Sequence, residues 1–361
     1  MSGTSAGNGV PQPLDIRIPE FAYSWAGPGV ARGTLFFGSE DGLLLMTDEN
    51  GAAKQGPRKG IAPDSDEAIN GVAGIGLCIA VSTRADITFW TNERGIARPC
   101  LVAPVGSHGV AVTANGYFIA PLGRTGLLVE KPDFRGAGQL MVLQTDRDLC
   151  FYAATSCGSL GGNEVLVCAM RSGGLSTTQF QGHQDQHVFT TMAFDEVEDL
   201  VDVCPIGPSS DSRAVAAVAR NGALLLFRDV LNDRPPVNVK FETIKGTAYR
   251  VLSCRGHLFV LTSKGLYVLA HLADRFLAGQ GEGTVTAAIL VMPMEAVDAN
   301  LCWDRWLLAV LPDVVRRYDV AQIHSPDPQS VISKGWTAEQ RPQQFYPSVN
   351  KTHPKLVAAH A

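Results

Sequence analysis

The sequence predicts an all-β protein, a seven-bladed β-propeller with four-stranded antiparallel blades, on three observations. A strand–turn–strand unit recurs seven times, the repeats are 40 to 49 residues apart, and the strands are almost continuously apolar. In the first unit, Leu35-Phe36-Phe37 and Leu43-Leu44-Leu45-Met46 flank Glu40-Asp41-Gly42. An Asp-Gly pair tolerates positive φ, so these two runs fold back on each other as a hairpin.

The same pattern follows in order along the chain. Ile79-Ala80-Val81 and Ile87-Thr88-Phe89-Trp90 enclose Arg84-Ala85-Asp86, and Tyr117 to Ala120 and Leu127-Leu128-Val129 enclose Arg124-Thr125-Gly126. Val165 to Cys168 and Leu175 enclose Arg171 to Gly174, while Val215 to Val218 and Leu224 to Phe227 enclose Arg220-Asn221-Gly222. The sixth unit turns at Ser263-Lys264-Gly265, and the seventh, at Pro312-Asp313, has lost its glycine. The second runs open at Leu43, Ile87, Leu127, Leu175, Leu224, Leu266 and Val314, so successive repeats are 44, 40, 48, 49, 42 and 48 residues apart. A period of this length with hairpin units is the signature of propeller blades. Strands without polar alternation fit sheets covered on both faces by neighbouring sheets.

A short apolar stretch before each hairpin is expected to form the innermost strand. These stretches are Leu77-Cys78, Val110 to Val112, Leu149 to Phe151, Val201 to Cys204, Val251 to Cys254 and Leu301 to Trp303, and five of the six carry a cysteine. Small thiols near a crowded axis read as packing. The alternating Leu14 to Pro19 is expected to complete the last blade and close the ring, because closure removes an open sheet edge. Glu49 to Asp66 and Lys131 to Gln139 read as surface excursions, and His271 to Gly279 as a short helix. This divides the chain into a disordered segment 1–13, a propeller over 14–324 and a polar, Pro-rich tail over 325–361.

Bulk properties narrow the function. A net charge of −5 and a pI near 5.9 argue against general affinity for nucleic acid or anionic membranes. No window supplies the ~20 apolar residues of a membrane-spanning helix, and the N-terminus lacks the character of a secretory signal. The eight cysteines show no CxxC spacing, which fits reduced thiols in a cytoplasmic protein.

Several strand ends resemble tryptophan–aspartate repeat propellers: Phe227-Arg228-Asp229, Arg317-Tyr318-Asp319 and Phe89-Trp90-Thr91-Asn92, with Gly182-His183 matching that family's Gly-His step. Trp303-Asp304 falls at an inner strand, where that family does not place it. The repeats are similar as well to those of pyrroloquinoline-quinone-type propellers. The first resemblance implies a rigid platform for other proteins. The second implies an eight-bladed enzyme with a cofactor pocket, which cannot be placed here.

The chemistry-bearing residues lead to two readings. Arg84, Arg124, Arg171, Arg220 and Lys264 stand at equivalent turns, while Glu40, Asp41 and Asp313 occupy those of the first and last repeats. Such turns emerge on one face, so an arc of five cations, closed by an acidic sector, would meet an acidic protein partner. Trp336, Phe345 and Tyr346 in the tail are expected either to dock on the propeller or to anchor that partner. The alternative is an enzyme or small-molecule binder using the central channel, where Asp202, Asp298, Asn300 and Arg250 are the few polar residues. His183, Asp185 and His187 read as solvated loop residues, and the acidic run Asp195 to Asp202 as a solvated approach to a strand. Ser107-His108 lacks a nucleophile elbow, and Gly158 to Gly162 lacks the Lys-Ser/Thr of a phosphate loop. No catalytic residue, metal site or cofactor is assigned, and the oligomeric state is left open.

Overall fold

The computed structural model describes residues 14–323 apart from 18–23, 32, 49–52, 60–66, 94–95, 133–138, 146–148, 172, 182–187, 193–198, 208–211, 233–235, 240–243, 280–287, 294–295, 303–304 and 312–313. Its strands form seven antiparallel sheets, the blades of a β-propeller. The first blade shows the plan: Ser24–Ala31, Thr34–Ser39, Leu43–Thr47 and Ala53–Lys59 lie side by side in chain order. The remaining innermost strands are Gly71–Ile75, Ala111–Val112, Phe151–Leu160, Leu200–Pro205, Ala248–Cys254 and Asp298–Cys302. In the last blade Leu14–Arg17 pairs antiparallel with Val314–Asp319, from Leu14 opposite Arg317 to Arg17 opposite Val314.

Alternation along a strand sends successive side chains to opposite neighbours. Phe36, Leu44 and Met46 pack with Ile69, Val72, Ile79 and Val81 of the second blade. Leu35, Phe37 and Leu45, one residue out of phase, pack with Leu308, Val310 and Val315 of the seventh. The other five apolar clusters span the remaining seams in the same way. Both faces of the hairpin strands are therefore covered, as in Thr34–Ser39 and His257–Thr262, which are buried throughout.

Two expectations need correcting. Leu77-Cys78 is not an inner strand: Cys78 opens the second strand of its blade, and Gly71–Ile75, rich in glycine and short of bulky apolar residues, lies inside it. Its Gly74 lets the inner strands of blades one and two approach, since a Cβ there would lie 2.5 Å from the Val30 carbonyl oxygen. The stretch Glu49 to Asp66 is not simply an excursion, because Ala53–Lys59 is an outer strand paired with Leu43–Thr47. Outer strands have little apolar burial to mark them in sequence. The expected helix is present at Leu272–Leu277 and buries Leu272 and Phe276.

The strand-end aspartates have a structural role. Asp229 accepts a 2.7 Å bond from Arg213, and Asp319 one of 2.9 Å from Arg305, each arginine standing just before its blade's second strand. Each aspartate also caps the chain two residues on, at Leu231 N and Ala321 N.

Candidate functional site: the channel and its mouth

The inner strands enclose an axial cavity of about 330 Å³. Blades one to three line it with small groups such as Gly29, Val72 and Gly109, and blades five to seven with Asp202, Arg250 and Asn300. A bulge between Leu200 and Asp202, and another between Ala248 and Arg250, turn these side chains to equivalent positions in register. Apolar Ala26 and Ala153 follow the corresponding bulges in blades one and four.

Asp202, Arg250 and Asp298 form a chain of charge across three blades. Arg250 Nη1 lies 3.3 Å from Asp298 Oδ1, and its Nε lies 3.9 Å from Asp202 Oδ2. Each carboxylate also accepts a backbone N–H from the next blade around the ring: Val251 N to Asp202 at 2.9 Å, and Gly27 N to Asp298 at 3.1 Å. Burial alone would lower the Arg250 pKa, but Asp298 and Asp202 outweigh it and hold it above its ordinary value. The links run from blade five to blade one, across the seam between blades seven and one. Asp202 and Asn300 line the cavity, whereas Asp298 is buried at 4% exposure and does not. Asp202 is likewise buried, so the end of the acidic run is not solvated.

The hairpin turns lie against the segments that enter the next blade's inner strand. The segment leading into an inner strand donates a backbone hydrogen bond to the preceding blade's turn in four places: Ile69 N to Ser39 O, Ser107 N to Thr83 O, Phe151 N to Gly123 O and Ala248 N to Arg220 O, at 2.9–3.1 Å. Arg84, Arg124, Arg171 and Lys264 are exposed on these turns. Arg220 is half-buried, with its Nη2 3.4 Å from Asp199 Oδ2. Asp41 is exposed and Glu40 half-buried, while Asp313 lies outside the described residues. So do Trp336, Phe345 and Tyr346, the His183–Asp185–His187 group and Asp195 to Glu198.

Sequence reasoning missed the pairing of Arg250 with its two aspartates. The signal was present in the spacing, since Asp202, Arg250 and Asp298 are separated by 48 and 48 residues, one repeat each, with alternating sign. It missed Tyr152 as well, whose buried hydroxyl has no hydrogen-bond partner and whose ring meets His108 edge-on at 5.1 Å. Ser107 is buried and hydrogen-bonded to Gly109 O at 2.5 Å, a structural role. Gly161 and Gly162 make a positive-φ hairpin between two strands of blade four. Among the described residues, no group of three or more His, Cys, Asp or Glu is placed to hold a metal ion.

No family model and no curated protein matches the chain. Solved structures do match its fold. The β-propeller domain of Cps50 (Swd1) from Myceliophteria thermophila superposes with a TM-score of 0.59 at 12% identity, over 86% of this chain and 100% of that one. YCF48 from Cyanidioschyzon merolae gives 0.57 at 11% identity, over 85% of this chain and 98% of that one. The computationally designed Ika8 protein gives 0.51 at 10% identity, over 85% and 99%. The chain has the fold of a seven-bladed β-propeller, as its seven hairpin repeats predict.

Proposed function

We propose that residues 14–324 form one ring, sealed by Leu14–Arg17, which works as a non-enzymatic scaffold or complex subunit and binds a protein partner through the face bearing the hairpin turns. The observation that carries this reading is a division of labour among charges. The channel's charged side chains engage one another and neighbouring backbone, whereas Arg84, Arg124, Arg171 and Lys264 on the turns are exposed at the surface. Exposed cations arranged around a rigid ring favour an acidic partner by charge complementarity. Eight cysteines without a disulfide support a cytoplasmic setting.

Affinity capture with the full chain, followed by cross-linking mass spectrometry, tests this. The expected result is a partner cross-linked to the turn face, held less tightly as salt is added or when Arg124 and Arg171 are reversed to glutamate. A partner held equally well by that variant at high salt would remove the turn face from the proposal. A second reading rests on the 330 Å³ cavity lined by Asp202 and Asn300, which would take a small polar molecule. Metabolite-induced thermal shifts abolished by Asn300→Ala would favour that reading instead.

A further inference from the structure

The lining of the axial cavity is uneven in a way that selects among small molecules. Blades one to three contribute apolar groups and glycine, among them Val72, Val110 and Gly29. Gly29 and Gly74 serve strand packing there. A Cβ on Gly29 would lie 2.8 Å from Val72 Cγ1, and one on Gly74 would lie 2.5 Å from Val30 O. Blades five to seven contribute Asp202, Arg250, Ser253 and Asn300, which supply a carboxylate, a guanidinium, a hydroxyl and a carboxamide.

The ionised groups on this side are committed to one another. Arg250 meets Asp298 at 3.3 Å and Asp202 at 3.9 Å, and Asp298 also accepts Ala299 N at 2.9 Å. An anion entering the cavity would meet Arg250, the one guanidinium or ammonium group among the described lining residues, with two carboxylates beside it. A cation would meet Asp202 with that guanidinium beside it. Either ligand would give up hydration without gaining an unshared counter-ion, which is costly at a buried site. A hydroxyl avoids this cost, because it can donate to a carboxylate or accept from a guanidinium while the ion pair stays in place. Asp202 and Arg250 keep 12% and 18% of their side-chain surface exposed, against 6% for Asp298, which does not line the cavity. Asn300 Oδ1 accepts Leu301 N at 2.8 Å, which fixes the orientation of its carboxamide.

We propose that the cavity binds a neutral polyhydroxylated molecule of about monosaccharide size, its hydroxyls on the side of Asp202, Arg250, Ser253 and Asn300 and its C–H surface on the side of Val72 and Val110. The inference deepens the cavity reading and rests on it, and it is independent of the turn face. A carboxylate only accepts hydrogen bonds and a guanidinium only donates them, whereas a hydroxyl and a carboxamide do both. A ligand whose every polar group is a hydroxyl can satisfy all four. The volume of about 330 Å³ stands at the lower end of the range for ligand pockets, which suits a single ring and not a chain of them.

The test is differential scanning fluorimetry and isothermal titration calorimetry of the full chain with glucose, myo-inositol, glucuronate and protonated glucosamine. Glucose or myo-inositol should raise the melting temperature in a saturable way, distinct from the gradual rise that any excluded sugar gives. Glucuronate and glucosamine, alike in size but charged, should bind at least about tenfold more weakly. Asn300→Ala and Ser253→Ala should each weaken the neutral ligand by about tenfold, while Arg124→Ala, on an exposed turn, leaves it unchanged. A charged analogue that binds more tightly than glucose, and is weakened by Asn300→Ala, would overturn the ligand class and keep the cavity as a site. Neutral binding that neither Asn300→Ala nor Ser253→Ala weakens would overturn the cavity as the place of binding. No saturable response to glucose or myo-inositol would overturn the proposal, and a flat response to all four probes would count against the cavity reading as well.

Discussion

Arg250, on an inner strand, and Arg124, on a hairpin turn, are the same side chain in two settings, one committed inward and the other presented. Arg250 lies between Asp202 and Asp298, which also accept N–H groups from neighbouring blades. Arg124 is exposed on a turn closed by the Thr125 N to Leu122 O bond and tied to the next blade through Phe151 N and Gly123 O. The same side chain therefore stabilises the ring in one place and remains open to an outside partner in the other. Burial decides between the roles: a desolvated guanidinium must find carboxylates within the fold, and an exposed one need not.

The largest expected effect breaks the inward member. Arg250→Ala leaves two buried carboxylates without their counter-ion and should cost about 3–5 kcal/mol, read from urea unfolding midpoints. Arg124→Ala should fall within about 0.5 kcal/mol of the parent protein. Replacing the whole triad, with Asp202→Asn, Arg250→Met and Asp298→Asn together, should recover most of the loss, because no charge is then left buried. Comparable stabilities for Arg250→Ala and Arg124→Ala would dissolve the contrast.

Much of this architecture was legible in the sequence because blade packing repeats. Leu35 to Phe37 or Leu258 to Leu261 must be apolar to be covered on both sides, and this writes the period into the chain. Inner and outer strands were read less well. Gly71–Ile75 sits at a crowded axis where small residues suffice, and Ala53–Lys59 lies at an edge where polar residues are tolerated. The cations of the turns could be read directly, since equivalent turns fall on one face. The meeting of Gly123 and Arg171 at one dipeptide, Cys150-Phe151, could not, because it depends on backbone bonds between turns 48 residues apart.

A carboxyl and an imidazole buried away from such partners sharpen the comparison through pH. Burial raises Glu130 from the usual carboxylate range to about 7, and its Oε2 has no hydrogen-bond partner. Between pH 4.5 and 7 the unfolded chain releases this proton while the folded chain retains it, so stability falls as pH rises. His257 runs the other way: burial, then the neighbouring His271, lowers it to about 4, so stability falls as pH drops from 6.5 to 4. The two slopes oppose each other, and the parent protein should show a shallow profile between pH 5 and 6. Glu130→Gln should be more stable than the parent at pH 8 by up to about 3 kcal/mol and nearly equal to it at pH 4. His257→Asn, with an oxygen to accept the His271 N–H that His257 Nδ1 accepts at 3.0 Å, should lose the acid-side decline. A pH-independent difference for either variant would show that its effect is steric, not ionic.

The smallest effect concerns backbone groups, which face the same choice between an internal partner and an outside one. Leu14–Arg17 covers Val314–Asp319 with four opposed residue pairs. At about 0.5 kcal/mol per pair, removing residues 1–17 should cost roughly 2 kcal/mol, less than loss of Arg250. The apolar seam between blades seven and one should persist, since Leu35, Phe37, Leu308 and Val310 do not depend on that strand. What changes is the bared edge of Val314–Asp319, whose backbone groups would pair with another molecule. Light scattering should therefore detect concentration-dependent association in the truncated chain while far-ultraviolet circular dichroism stays native. Global unfolding on truncation would instead make the N-terminal strand essential to the ring; a monodisperse, unchanged protein would show that this edge needs no cover.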